Sequence, residues 1–189
     1  MSNLKELTKE AHTNAERQDF VKVLMSGKMH PDFYATYLWN QHKKYDILEA
    51  LAGALGVFNN IPMNIRRKQA IEADFLELWK HEHQPTIVPS TTEYIERFKT
   101  IMSDVNALTA HVYVLHMGDL SGGQMIKKRI PGSGKMYEFD GDVLETKEAI
   151  RAQTNDDMAE EAKWMFESAT QLFKEMMELD IEHYLEKTN

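Results

Sequence analysis

Three glycines interrupt a stretch from Tyr113 to Arg129 that otherwise has the pattern of an α-helix. Gly118 and Gly122 are four residues apart and share one helical face, with Gly123 beside them. Each glycine destabilises a helix interior by about 1 kcal/mol relative to alanine. A helix that keeps all three must bend there, or must let something flat or bulky approach its backbone, as a planar cofactor does. Close helix packing and a loop remain alternative explanations.

The residues beside these glycines help to distinguish between the possible explanations for them. Asp119 follows the first glycine, and because aspartate is unfavourable inside a helix, its presence indicates a polar task. Residues 120–124 spell LSGGQ, which is similar to the signature of ATP-binding-cassette ATPases. Those ATPases also need a P-loop earlier in the chain, and this sequence has none. We therefore reject nucleotide hydrolysis.

A second candidate site lies near the N-terminus, where residues 3–16 have the pattern of an amphipathic helix. Lys5, Lys9, His12 and Glu16 follow one another at spacings of 4, 3 and 4, so they line up along one stripe of that helix. The stripe is either a solvated face with ordinary ion pairs or a metal site. In the second case His12 is the ligand and Glu16 fixes the other ring nitrogen.

The composition excludes several kinds of site and partner. The chain has no cysteine, so a metal must be held by histidine, carboxylate, tyrosine or methionine. The net charge of -8, from 30 acidic and 22 basic residues, argues against a general nucleic-acid binder. The N-terminus lacks a signal-peptide pattern, and no segment approaches the roughly 18 to 20 apolar residues of a membrane span. We expect a soluble, cytoplasmic protein without a membrane contact.

The rest of the chain consists of helical periods separated by turns. A capping box at residues 90–93 is expected to start the helix at 93–103, and Asn106 is expected to cap the following helix, which contains the glycines. A chain of 189 residues suits one compact core. We therefore predict a single all-α domain over residues 1–189. Its other helices are expected at residues 31–55, 64–81, 93–103, 146–151 and 155–187.

The two stripes together resemble the heme oxygenase family, in its soluble form found in bacteria, plastids and phages. LKELTKEAHTNAE at residues 4–16 resembles the proximal helix of the family, and YVLHMGDLSGGQMIKK at residues 113–128 resembles its distal-helix signature. The resemblance extends over most of the chain. It implies a helical bundle that holds heme between a proximal helix and a glycine-kinked distal helix.

The resemblance also implies roles for individual residues. His12 matches the axial ligand of the heme iron, and Glu16 matches the residue associated with its ring. Asp119 matches the carboxylate that organises distal water, and Gly118 and Gly122 match glycines whose backbone faces heme. The remaining heme-binding positions are Gly123, as a flexible neighbour, and Lys5, Lys9, Tyr113, Lys147 and Arg151, which match positions along the heme propionates.

This chain departs from the family pattern in the polar network of the distal side. Leu115 stands where animal relatives carry an arginine, and His116 replaces an aromatic residue. Ala169 or Thr170 stands where an asparagine is expected. Tyr45 follows two lysines, and which residue there replaces the family's helix tyrosine is open. We expect a thinner distal network, with consequences for regiospecificity and rate.

The activity that the resemblance implies is oxidative cleavage of heme b at the α-meso carbon to biliverdin IXα, carbon monoxide and Fe²⁺. The reaction would use O₂ and electrons from reduced ferredoxin, with the basic run 127–129 as a docking site and a bilin reductase as a downstream partner. Two alternatives stay open. One is a heme-binding module that has lost turnover, and the other is a non-heme relative on the same architecture, such as the thiaminase-like proteins.

Overall fold

The computed structural model describes residues 2–179, and every regular element within them is helical, which confirms the all-α prediction. Two short 3₁₀ turns lie at Lys135–Tyr137 and Asp156–Met158. The α-helices α1 to α9 are, in chain order, Leu4–Leu7, Lys9–Glu16, Asp19–Met25, Pro31–Ala54, Lys68–Leu78, Pro89–Ile101, Val105–Lys127, Val143–Ala152 and Ala159–Glu178.

The N-terminal helix is divided, unlike the single helix predicted over residues 3–16. α1 ends and α2 begins at Thr8, whose hydroxyl donates a hydrogen bond to the carbonyl of Leu4 at 2.8 Å. A side chain that bonds the preceding turn in this way competes with regular helix geometry. The backbone amide of Asn3 donates to Asp156 at 2.7 Å, which ties the start of the chain to the turn before α9.

α4 and α7 are the longest helices in the described part of the chain, and each begins at a well-defined cap. α4 has Pro31 at its first position after the capping residue His30. α7 begins after Asp104, whose carboxylate accepts a hydrogen bond from the Ala107 amide at 3.0 Å. The prediction of Asn106 as the cap was therefore wrong, since Asn106 lies inside the helix.

The predicted capping box at residues 90–93 was also wrong. α6 begins at Pro89, which lacks an amide hydrogen and needs no capping partner for it. Ser90 is buried in the first turn, where its amide and hydroxyl both donate to Glu175 of α9. Ser90 therefore connects α6 to α9 and does not cap its own helix.

Other boundaries differ by a few residues from the prediction. α5 begins at Lys68, because the amides of Arg67 and Lys68 donate to the buried carboxylate of Glu49 on α4. α8 is longer at both ends than predicted. α9 is described to Glu178, and its predicted extension to residue 187 lies outside the described residues.

The core of the described residues has two large parts that α4, α7 and α9 connect, and a smaller cluster around Leu4, Ala110 and Ala162. One part surrounds Tyr34 and Phe75, between α4 and α5. The other surrounds Leu48, Phe98 and Leu108, between α4, α6 and α7. α9 packs against α2, α3, α6 and α7, so the three long helices form the frame on which α2 is held. Within residues 2–179 no helix combines the length and the apolar character needed to cross a membrane.

Candidate functional site

A cleft opens between α2, α7 and α9 and has two connected parts. The inner cavity has a volume of about 550 Å³ and extends to α3 and α4. The outer cavity has a volume of about 700 Å³ and extends to α1 and α8. The two cavities share His12, Gly118 and Phe166 in their walls, so they form one continuous space.

The three glycines of α7 have two different environments. An ideal Cβ atom added to Gly118 or Gly122 would meet no atom within 4 Å, and both residues line the inner cavity. A Cβ atom on Gly123 would lie 2.6 Å from Cδ1 of the buried Tyr137. The fold thus needs the third glycine for packing, whereas the first two leave room along the helix for something outside the chain. The structure does not bring Gly123 to the cleft, where the resemblance placed it.

α7 remains one helix from Val105 to Lys127 through all three glycines. Its turns are continuous, so the open face at Gly118 and Gly122 is a groove in a regular helix. The loop that was left open as an alternative explanation is therefore excluded.

His12 lines both cavities from α2. Its Nε2 atom lies 3.3 Å from Oε1 of Glu16, so the predicted pairing of these two side chains is present. Its ring also packs edge-on against Phe166 of α9, at a centroid distance of 5.1 Å. Half of the His12 side chain is exposed, so its imidazole is available to a ligand in the cleft. Neutral imidazole is a common ligand of heme iron.

The outer cavity is lined by basic and phenolic side chains from α1, α2, α7 and α8. Burial raises the pKa of the Tyr113 hydroxyl, and the nearby positive charge of Arg151 partly offsets that effect. Such a group of donors and cations is suited to carboxylates. The structure brings all five side chains that the sequence assigned to propionates to this cavity, namely Lys5, Lys9, Tyr113, Lys147 and Arg151.

Asp119 lies beside the open glycine face and is hydrogen-bonded to α4. Its Oδ2 atom accepts a hydrogen bond from the hydroxyl of Tyr45 at 2.6 Å. Burial raises the pKa of Asp119 to about 7, although His116, Tyr45 and Arg67 all act to lower it. A carboxyl group with this pKa can bind and release a proton at neutral pH. Tyr45 is therefore the residue of α4 whose hydroxyl contacts Asp119.

The residues at which this chain departs from the family pattern lie in different surroundings. Leu115 and Ala169 line the inner cavity and add no polar group to it. The hydroxyl of Thr170 donates to the carbonyl of Phe166 at 2.9 Å and does not line the inner cavity. His116 lies behind Tyr45, where its Nε2 atom is 3.0 Å from the buried carboxylate of Glu49.

Among the inner-cavity residues that sequence reasoning missed, three polar ones lie on α4. They are Tyr37, Gln41 and Lys44. Gln41 donates a hydrogen bond to the Tyr37 hydroxyl at 2.7 Å, and Lys44 is only 2% exposed. Lysine is rarely buried, so residue type alone does not indicate a cavity position. The position of Lys44 directly before Tyr45, in a segment rich in aromatic residues, was the available signal.

The metal-binding capacity of the cleft fits a porphyrin better than a bare ion. Within residues 2–179 no three histidine or acidic side chains are grouped so that they could hold an ion. Elsewhere, the sequence His81-Glu82-His83 places two histidines close together, and the Nε2 atom of His81 lies 2.7 Å from Oδ2 of Asp32. A single imidazole beside an open glycine groove, with cations at the mouth, matches the donor set that heme needs because the porphyrin supplies the other ligands.

Comparison with known proteins agrees with this geometry. The sequence model of the family described as Heme oxygenase matches residues 1–179. The chain is 30% identical over 209 residues to heme oxygenase 1 of Homo sapiens, covering 93% of this chain and 71% of that protein. It is also 30% identical over 208 residues to heme oxygenase 2 of Oryctolagus cuniculus, where the match covers 92% of this chain and 64% of the relative.

Solved structures show the same fold. The heme oxygenase of Leptospira interrogans superposes with a TM-score of 0.76 and 29% identity, covering 90% of this chain and 96% of that one. Heme oxygenase-1 of Synechocystis sp. PCC6803, in complex with heme, gives a TM-score of 0.79 at 22% identity, covering 98% and 97%.

Proposed function

Because this chain belongs to the heme oxygenase family, we propose that it binds heme in the cleft and catalyses the oxidative opening of the heme ring. One observation carries the proposal. His12, the open glycine face of α7 and a proton-binding carboxyl group line a single inner cavity, and that cavity leads into a basic mouth.

His12 would hold the heme iron, and Glu16 would orient the imidazole ring of His12. Gly118 and Gly122 would let the porphyrin approach the backbone of α7 and would leave space for dioxygen. The five side chains assigned to the propionates would hold those carboxylates in the outer cavity. When bound, heme supplies the iron at which dioxygen is activated, and it is also the substrate.

Asp119 is the proton-handling group of this proposal. It follows Gly118 directly, and the hydroxyl of Tyr45 fixes its carboxyl group. With a pKa near 7 it is about half protonated at neutral pH. It can therefore take a proton from cavity water and present it at the open face, where oxygen activation requires protons.

The finer parts of the proposal follow the family. We propose attack at the α-meso carbon, giving biliverdin IXα, carbon monoxide and Fe²⁺, with reduced ferredoxin as electron donor and a bilin reductase as consumer of the product. Lys128 and Arg129 are exposed and suit an acidic donor. Lys127 contributes less, because its ammonium group is already 2.6 Å from Glu138.

An absorption time course tests the activity. The protein with one equivalent of hemin is mixed in air with ferredoxin, its reductase, NADPH and catalase. We expect loss of the Soret band and growth of a broad red band of biliverdin, with chromatography of the product giving the isomer. A stable Soret band, with donor competence checked on a known acceptor, would instead support the heme-binding module.

His12→Ala tests the ligand assignment, and Glu10→Ala on the same helix, whose side chain is exposed, is the matched control. We expect His12→Ala to shift the heme spectrum and abolish turnover, and Glu10→Ala to leave both unchanged. An unchanged spectrum in His12→Ala would remove His12 from the axial role. No Soret perturbation in the unmodified protein would favour the non-heme relatives.

A further inference from the structure

The inner cavity contains a buried cation that the reaction scheme above does not use. Lys44 of α4 is 2% exposed, and it is the only lysine or arginine among the described residues that line this cavity. Its Nζ atom lies 4.7 Å from the centroid of the Tyr94 ring. Tyr94 is itself held in place, because its hydroxyl is 2.9 Å from Nδ1 of His111.

The ammonium group of Lys44 has no anionic partner within residues 2–179. No carboxylate there lies within 4.0 Å of Nζ, and burial alone lowers the pKa of Lys44 to about 8. An uncompensated buried charge is costly, so buried lysines are normally paired. At neutral pH most Lys44 side chains are nevertheless charged.

A second unpartnered polar group lies one turn away on the same helix. Oε1 of Gln41 is buried without a hydrogen-bond partner, while its amide nitrogen donates to Tyr37. Residues 41 and 44 are separated by three positions, so their side chains are neighbours on the helix surface. Gln41 and Lys44 both line this cavity, and unpaired polar groups in native proteins normally bind water or a ligand.

We propose that Lys44 is the positioning cation of the distal polar network, with its ammonium group and Gln41 anchoring water beside Tyr45 and Asp119. This inference rests on the proposed function. Leu115 on α7 stands where animal relatives carry an arginine, so α7 adds no positive charge to the cavity wall at this position. In our proposal Lys44 on α4 supplies that charge. Lys44 keeps its proton in this role. Its charge favours negative charge that develops on oxygen in the cavity, and its hydrogen bonds order the water from which Asp119 is reprotonated.

Infrared spectra of the ferrous carbon monoxide complex at pH 7 test the proposal without turnover. A positive charge near bound carbon monoxide lowers the C–O stretching frequency, so we expect Lys44→Met to shift it upward and Lys44→Arg to keep it close to the original value. Lys43→Met is the matched control, because the Lys43 ammonium lies over the Trp39 ring at 3.9 Å and does not line the cavity.

Turnover provides the second measurement. We expect Lys44→Met to reduce the biliverdin rate at least about tenfold, as loss of a preorganised donor does, while Lys44→Arg and Lys43→Met stay within about twofold of the unmodified protein. If Lys44→Met fails to fold, Lys44→Gln replaces it in both measurements.

Two results would overturn the inference. One is the same C–O frequency in Lys44→Met and Lys43→Met, and the other is an equal biliverdin rate in these two variants. Failure of the proposed activity is separate, since it would appear as a lack of biliverdin in the unmodified protein, whose carbon monoxide complex still reports the charge at Lys44.

Discussion

Replacing Lys44 with methionine should make the heme-free protein more stable at neutral pH. Methionine resembles the lysine side chain in length and carries no charge, so the substitution removes the buried ammonium group without leaving a large cavity. A pKa that falls from 10.5 to about 8 corresponds to about 3 kcal/mol of destabilisation by the charged form. Loss of the contact with the Tyr94 ring costs about 1 kcal/mol. The net gain is therefore about 2 kcal/mol.

The gain should depend on pH with a defined sign. Below pH 8 the lysine is protonated in both the folded and the unfolded state, so the folded protein carries the full penalty. Between pH 8 and about 10.5 the folded state releases the proton while the unfolded state still holds it. The free energy of unfolding of the unmodified protein then rises relative to the variant. The advantage of Lys44→Met is thus complete below pH 8 and shrinks toward pH 10.5.

Urea unfolding of the heme-free proteins at pH 7 and pH 10 measures both quantities, and Lys43→Met serves as the control at each pH. At pH 7 the free energy of unfolding from the urea curve should be about 2 kcal/mol higher in Lys44→Met. In thermal unfolding at the same pH, this corresponds to a midpoint temperature about 4 to 8 °C higher. The reasoning is refuted if Lys44→Met is no more stable than Lys43→Met at pH 7. It is equally refuted if the difference between the two variants is the same at both pH values.

Three further predictions concern the glycines of α7 and the cleft. Gly123→Ala should destabilise the protein by about 1 to 3 kcal/mol in urea unfolding, because the added Cβ atom meets Tyr137. Gly118→Ala should stabilise the heme-free protein by up to about 1 kcal/mol and weaken hemin binding. Equal effects of the two variants on unfolding would contradict the two glycine environments. The turnover rate of the unmodified protein should fall above pH 7, where Asp119 loses its proton. Asp119→Asn should lower turnover at least about 100-fold and remove this fall. A fall that persists in the variant would show that another group causes it. Arg151→Gln should weaken hemin binding about fivefold in a titration, the effect of about 1 kcal/mol expected for a partly exposed ion pair, and unchanged affinity would place the propionates elsewhere.

The sequence was most informative where local chemistry and position in the fold agree. The spacing from Lys5 to Glu16 predicted a common stripe, and the structure keeps that stripe in the cleft even though Thr8 divides the helix. The glycines of α7 were predicted to allow close approach to the helix, and Gly118 and Gly122 do leave open space beside it. Their separation into two open positions and one packing position could not be predicted, because it depends on Tyr137, which follows a turn and comes back against the helix.

Helix starts were predicted less well, for a related reason. A serine followed by glutamate three residues later is a good local cap, but Ser90 is used by Glu175 from the other end of the chain. Similarly, the amide of Arg67 is satisfied by Glu49 of α4, which sets where α5 begins. Tertiary hydrogen bonds decided these boundaries, and no window of neighbouring residues contains their partners.

The polar groups of the inner cavity illustrate how one chemical requirement can be met from different helices. α7 contributes Asp119 and an open backbone, but its Leu115 is apolar. α4 contributes Tyr45 and Lys44, and these adjacent residues place a hydroxyl on Asp119 and a cation in the same space. A motif search along α7 alone therefore underestimates the network, since the missing charge is supplied by a helix about seventy residues earlier. Lys44 is costly to the fold and accessible from the cavity, and that combination is typical of residues retained for function rather than stability.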